Sequence, residues 1–520
     1  MPKKITIEEP TSVPAINIAL DTIKKGKQAL VFVNTKRSAE KTAEELSFKI
    51  KTNNQKSEEL SEEILHSLSR PTKQCERLAK VIKKGIAFHH AGLVQKQRSL
   101  IENNFRDGSI KIICATPTLA MGVDLPAFRA ILKDLRRYGH RGLTYIPVLE
   151  YLQMAGRAGR PKFDKYGEAI CIAHSKTNKE QLIEKYIKGE PEDIFSKLAV
   201  EPVLRMYILS LIASEFVNTK QEIFDFFSKT FFAYQFQDLK QINALVEKML
   251  NLLEEWEFIS SSKKQDFTSA DELQNERYKA TILGKRVAEL YIDPLTAHNF
   301  VVALQKATSK TIDEFSFLQL ISSTLEMRPL LKTRMKEHDI IEKALVKYSS
   351  SLLNNEPSPW EPEYEEFINS IKTALFFNHW INEKDEEYLL ETYSIRPGEI
   401  NVKINNGDWL LYATEELARI LRFQKLIKEI VKLRIRLKNG VKEELLPLLK
   451  LEQIGRVRAR TLYRNRIRDI ADVKKADYAK LVYLLGKKVA LKVKEQVGQD
   501  FSKIKIKEHK RKGQISLKDY

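Results

Sequence analysis

Cysteine is scarce: Cys75, Cys114 and Cys171 are the only three in 520 residues, and they lie far apart. Thiols so few and scattered exclude a cysteine-rich zinc site and argue against a disulfide framework. Cys114 and Cys171 fall in apolar, strand-like runs, where a thiol acts as a small buried hydrophobe. Long hydrophobic runs are absent too. No stretch approaches the roughly 20 apolar residues of a membrane span, and the N-terminus has no apolar signal segment. The expectation is a soluble cytoplasmic protein. Acidic residues are the third shortfall: 69 Asp and Glu face 88 Lys and Arg, leaving a net charge of +19. A chain this basic implies a polyanionic partner, nucleic acid being the simplest and an anionic membrane surface the alternative.

What is present has room for three to five domains. Residues 14 to 26 read as a helix, Ala29 to Val33 as a short buried strand, and Lys36 to about Lys51 as a second helix. Asn54 to Gln74 is polar and Ser/Glu-rich, which suggests a surface insertion with some helix. Ile86 to Phe88 and Ile110 to Ala115 are further strands, separated by a helical stretch through Gln95 to Phe105. Apolar runs without alternation suit strands covered on both faces, hence a parallel sheet. Strand, helix, strand in this rhythm is α/β architecture, whose ligands sit at the carboxyl ends of the strands.

The most informative stretch is Tyr151-Leu-Gln-Met-Ala-Gly-Arg-Ala-Gly-Arg160-Pro161. Gln153, Gly156, Arg157, Gly159 and Arg160 form Q-x-x-G-R-x-G-R, with two arginines three apart on a glycine-loosened turn. On one helical face, two guanidiniums aimed at one point suit the charge that develops in phosphoryl transfer. Upstream stand Ala29-Leu-Val-Phe-Val-Asn-Thr35, Phe88-His-His-Ala-Gly92 and Lys111-Ile-Ile-Cys-Ala-Thr-Pro-Thr-Leu-Ala-Met-Gly-Val-Asp-Leu-Pro126. His89 and His90 lack a carboxylate or thiol at ligand spacing, so no metal is expected, and they read as part of a structural or DNA-facing loop.

These four segments, in this order, resemble the second motor domain of superfamily 2 DExH-box helicases: motif IV, the segment after the next strand, motif V and motif VI. The chain also resembles archaeal DNA repair helicases of the Hjm type, relatives of the helicase domain of DNA polymerase theta. The resemblance implies a RecA-like domain over residues 1 to 191, with ATP and Mg2+ as cofactors. It assigns Gln153, Arg157 and Arg160 to catalysis and Gly122, Asp124, Arg157 and Arg160 to the nucleotide. Thr35, Thr116 and Thr118 would hold DNA phosphate through hydroxyl and backbone groups. Between motifs V and VI, Gly-His-Arg-Gly flanked by Tyr138 and Tyr145 reads as a β-hairpin. By resemblance it is the wedge that parts the duplex, with Tyr138, Arg141 and Tyr145 on DNA.

The remainder is helical. Residues 192 to 293 resemble a degenerate winged helix, with Ser260-Ser-Ser-Lys-Lys264 and Phe267 as its wing. Residues 294 to 433 are broken at the Pro-rich Asn354 to Pro362 and then carry Pro397-Gly-Glu399, a natural helix start. By position this segment resembles the family's ratchet helix, and the resemblance implies that Trp409 stacks on a base. Asn401 and Val402 replace the family's basic pair, leaving Lys403 as the nearby cation. Residues 434 to 500 contain Leu451-Glu-Gln-Ile-Gly-Arg-Val-Arg-Ala-Arg-Thr-Leu462, which fits a helix-hairpin-helix. Gly455 would open a helix whose N–H groups hold a phosphate, with Arg456, Arg458 and Arg460 close by, a pattern that favours DNA over RNA. The basic tail, residues 501 to 520, ends in Gln514, Leu517 and Tyr520, spaced like a sliding-clamp peptide.

Neither a G-x-x-x-x-G-K-[ST] phosphate loop nor a magnesium-binding acidic box occurs in the sequence. The chain is therefore expected to be a natural half of a split helicase, a truncated gene product or a stand-alone derivative. The leading expectation is the first, with single-stranded or forked DNA, a separate chain carrying the first motor domain and a sliding clamp as partners, at the nucleoid. Alone, the chain is expected to be inactive as an ATPase. The alternatives are a DNA-binding adaptor that has lost its motor and half of an RNA helicase.

Overall fold

The computed structural model describes residues 5–51, 55–68, 71–139, 142–160, 164–262 and 276–499. The chain folds into two compact units. The first holds residues 1–197, 234–237 and 386–403; the second holds the rest.

The first unit is built on β1 (Ala29–Phe32), β2 (Ile86–His89), β3 (Ile112–Ala115), β4 (Arg129–Leu132), β5 (Arg136–Gly139), β6 (Gly142–Tyr145) and β7 (Glu168–Cys171). Five of them pair in the order β2-β3-β1-β4-β7, all parallel, with Ala29 level with both Ile112 and Arg129. Every residue of β1 to β4 is buried, as apolar runs without alternation require. Helices Pro14–Lys24, Lys36–Ser47, Lys73–Ile82 and Gln95–Arg106 supply the cover, contributing Ala15, Ala43, Leu78 and Ile101 to one core.

Two departures from expectation have clear causes. The surface insertion forms helix Gln55–Leu65, as expected of its partly helical reading, but its Leu60 and Ile64, four apart and so on one face, join the core. Strand β4 opens on an arginine, which masks it in a hydropathy reading. Arg129 is only 1% exposed, yet it is neutralised by Asp21 and Glu168, both at 2.5 Å, and hydrogen bonds Thr22 at 3.0 Å.

The second unit begins with helices Glu201–Ala213, Lys220–Ser228 and Leu239–Glu255. An antiparallel pair follows, β8 (Ile259–Ser261) and β9 (Tyr278–Ala280), then helix Ile282–Leu290 capped by Thr281. Ser260 and Ser261 of the expected wing lie in β8; Lys263, Lys264 and Phe267 fall outside the described residues. Beyond it pack Pro294–Ala307, Glu314–Ser322, Tyr364–Ile381 and Gln424–Asn439, with the Pro-rich segment forming turns as expected. Gln424–Asn439 runs straight through position 433 and stops at Gly440, whose φ of 63° is left-handed. The last helices, Arg456–Arg464, Ile470–Lys475, Tyr478–Leu485 and Lys487–Gln496, close around their own core of Leu462, Leu481 and Val493. The long helix Pro397–Ile420 starts in the first unit and continues in the second.

Candidate nucleotide and strand interface

Motif VI begins on helix Val148–Ala155, whose first N–H groups are capped by Glu192, at 2.7 Å to Val148 and 3.2 Å to Leu149. The helix ends at Ala155, so Arg157 and Arg160 do not share a helical face as the spacing suggests. They follow it on a turn that Gly159 completes at φ 101°, where its N–H donates to Ala127 O at 2.6 Å. The two guanidiniums consequently diverge. Arg157 donates Nε to Ala120 O at 3.1 Å and lies 3.5 Å from Asp124, which is almost fully exposed. Arg160 meets Asp164 at 2.7 Å and Gln28 at 2.6 Å. The hydrogen bond from Arg160, aided by Lys27, holds the Asp164 carboxyl below the usual range. Gln153 is exposed on the last turn of the helix.

Motif V leaves β3 at Thr116 and forms the short helix Thr118–Gly122. The Thr116 and Thr118 hydroxyls hydrogen bond each other at 3.0 Å, and Gly122 and Asp124 face solvent. Thr35 follows β1, the neighbour of β3, and its exposed hydroxyl accepts from Ser38 N–H at 3.0 Å as a helix cap. Thr35, Thr116 and Thr118 thus share the carboxyl end of the sheet, where α/β folds bind ligands.

Strands β5 and β6 form the expected antiparallel hairpin, but the register alters its aromatic reading. Leu143 stands opposite Tyr138, while Tyr145 pairs with Arg136 at the foot. There Arg136 lies 4.3 Å from the Tyr145 ring centroid, and the phenol oxygen bonds Arg136, Asn178 and Gln181. Tyr145 is an anchor, and the exposed apolar residue near the tip is Leu143, at 51%. Arg141 and the Tyr138 side chain lie outside the described residues. A cleft of about 490 Å³ opens at the hairpin's foot, lined by Asn34, Lys133, Asp134, Tyr145, His174 and Gln181.

Of the two readings of His89 and His90, structural or DNA-facing, the structural one fits. Both are buried, His89 on Glu102 at 3.0 Å and His90 on Glu40 at 3.2 Å. Burial pushes His90 down, so at neutral pH its ring is uncharged; Nδ1 accepts from Gly92 N–H and Nε2 carries the proton toward Glu40. Glu40, which sequence reasoning missed, also accepts from Arg77 and Arg396. Burial raises its carboxyl, but the hydrogen bond from His90 and the charge of Arg396 prevail and hold it at about 2.

Lys403, expected on DNA, is 8% exposed, and desolvation pulls its ammonium down to about 8. A group so enclosed is not presented to a passing phosphate. In the second unit, Trp409 is half-buried, with its indole N–H on Leu290 O at 3.0 Å. Gly455 precedes helix Arg456–Arg464, as expected, but the nearby arginines are unequal. Arg460 is held by Glu383 and Glu444, each at 2.7 Å, which removes it from the phosphate-binding set. Arg456 lies over the Trp380 ring at 4.8 Å and donates to Lys384 O. Arg458 is exposed and donates to Gln453 O. Gln514, Leu517 and Tyr520 lie outside the described residues. Among those residues, no helix is long and apolar enough to cross a membrane.

Three family models match parts of the chain. Residues 58–162 match the helicase conserved C-terminal domain, 167–260 a helix-turn-helix domain, and 315–440 archaeal helicase domain 4. The ATP-dependent DNA helicase Hel308 of Pyrococcus horikoshii is 40% identical over 504 residues, covering 96% of this chain and 67% of that protein. The Pyrococcus abyssi protein of the same name is 39% identical over 96% of this chain and 67% of its own length. That of Methanococcus vannielii is 36% identical over 94% and 68%. The chain therefore spans about two thirds of the length of these relatives.

Proposed function

The chain belongs to the Hel308 family of archaeal helicases, and from that premise we propose that it is the strand-engaging part of an ATP-dependent 3′ to 5′ DNA helicase. Its substrates are single-stranded or forked DNA in repair or replication restart. A lobe bearing the phosphate loop and acidic box, carried by a separate chain, holds ATP and Mg2+. This chain adds Arg157 and Arg160 to the γ-phosphate, while Thr35, Thr116 and Thr118 hold the strand.

What carries this reading is the geometry around Ala120. Arg157 fastens motif VI to the helix of motif V and stands beside the exposed Asp124, while its own carbonyl accepts from Ala127 N–H just before β4. A guanidinium held there fits a phosphate oxygen approaching from solvent, and such a finger contributes roughly 10³- to 10⁵-fold in rate. Exposed Met121 and Leu152 on the two helices give the surrounding face the apolar character of a docking surface for that lobe. Leu143 on the hairpin parts the duplex, Trp409 touches the tracked strand, and the tail engages the sliding clamp.

The test is DNA-stimulated ATP hydrolysis and unwinding of a 3′-tailed duplex, by this chain alone and after mixing with a first-motor chain. Activity only on mixing is expected. Tight DNA binding without turnover in either case would instead make the protein an adaptor, and preference for matched RNA at fixed salt would make it an RNA helicase part.

A further inference from the structure

The start of the long helix Pro397–Ile420 belongs to the first unit, together with the preceding helix Glu386–Tyr393. Arg396, just before that start, donates Nε to Glu40 at 3.1 Å. Glu40 is 2% exposed and is also held by Arg77 at 2.6 Å and His90 at 3.2 Å. His90 is in turn tied to Gly92 N–H through Nδ1, so one buried carboxylate connects helix Lys36–Ser47, the loop after β2 and the entry to the long helix. The loop and the helix also touch through backbone. Gly398 N–H, which has no partner within the first helical turn, donates to Gly92 O at 3.0 Å. A Cβ on Gly398 would lie 2.4 Å from both Ala91 O and Leu93 O, and one on Gly92 only 2.3 Å from Arg396 Cδ. Lys36 pairs with Glu399, and Lys73 with Glu391 at 2.5 Å.

We propose that Glu40 and Arg396 are positioning residues that lock the first turn of the long helix to the motor sheet, so that the helix is displaced with the sheet and does not slide over it. The physical basis is that a buried charge loses heavily when one partner leaves, and two glycines in backbone contact leave no side chain to act as a cushion. The lock is therefore closed or broken, with little elastic range between. A helix transmits displacement of its first turn along its axis. The proposal rests on the helicase reading only for what that displacement accomplishes.

The test uses hydrogen exchange on the full chain with Arg396→Ala and Arg396→Lys. Glu40 keeps Arg77 and His90 in both variants, so the sheet persists. Amides of residues 398–403 are expected to exchange about tenfold faster in Arg396→Ala, the scale of one lost charge-assisted hydrogen bond, with β1 and β3 unchanged and the lysine variant intermediate. Unchanged exchange at 398–403 would overturn the lock, as would acceleration spread evenly over the sheet. In the assembled enzyme, Arg396→Ala should lower base pairs opened per ATP several-fold while ATP turnover holds; equal loss of both overturns the positioning role. If the wild-type assembly hydrolyses no ATP, the helicase reading fails, and the exchange measurement still decides the lock.

Discussion

Arg157 and Arg160 carry the same guanidinium three residues apart, yet their surroundings divide their duties. Asp164 has a side chain only 1% exposed, so among the described residues Arg160→Ala leaves Lys27 as its ion partner. We expect a cost of about 1–3 kcal/mol, read as a lower urea midpoint. Arg157 bonds a carbonyl at a half-open edge, and Arg157→Ala should change stability by no more than about 0.5 kcal/mol. Paired with the first-motor chain that we propose, both variants should lose ATP hydrolysis while binding DNA, but only the Arg160 variant should also melt early. Equal melting of the two would sink this division. Arg129 is the harsher case: Arg129→Ala strands Asp21 and Glu168 and is expected to cost about 3–5 kcal/mol by urea denaturation. Neither pairing could be read from sequence, because ion partners 108 and 39 positions away leave no local trace.

Among elements, the hairpin separates a residue that anchors it, Tyr145, from one that we propose meets the substrate, Leu143. Tyr145→Phe removes the phenol oxygen shared by Arg136, Asn178 and Gln181 and should loosen the hairpin's foot, seen as faster exchange in β6. Leu143→Ala, at an exposed position, should leave stability unchanged but slow unwinding relative to ATP use; unaltered unwinding would remove Leu143 from strand separation. The turn signal of Gly-His-Arg-Gly gave the hairpin away, since few other sequences permit so tight a return. Which residues met across the hairpin depended on pairing register, which sets Leu143 opposite Tyr138 and Tyr145 opposite Arg136 at the foot. Lys403 failed for a related reason: charge predicts exposure on average, whereas packing of the long helix decides it at one position. Motifs V and VI and strands β1 to β3 were legible because their residues are contiguous. The cluster at Glu40 was not, because it is assembled from four distant segments.

For the whole molecule, two consequences are measurable. Glu40 titrates at about 2 in the folded protein, below its ordinary 4.5. Its stabilisation is complete above the unfolded value and is lost as pH falls through about 2. Melting temperature should therefore drop between pH 4.5 and 2, and Glu40→Gln should flatten part of that drop. The net charge of +19 makes a second demand. Affinity for single-stranded DNA should fall linearly on a log–log salt plot, with a slope of about −0.7 per phosphate neutralised. A flat plot would exclude a backbone-binding role.

The bond between Arg396 and Glu40 spans 356 positions of chain. During synthesis, which runs from the N-terminus, the sheet emerges long before the segment that completes its charge network. Until residue 396 leaves the ribosome, Glu40 must make do with Arg77 and His90, and Gly92 O has water in place of Gly398 N–H. The nascent motor sheet is thus finished late, and a ribosome stalled before the long helix would display a folded but unlatched domain.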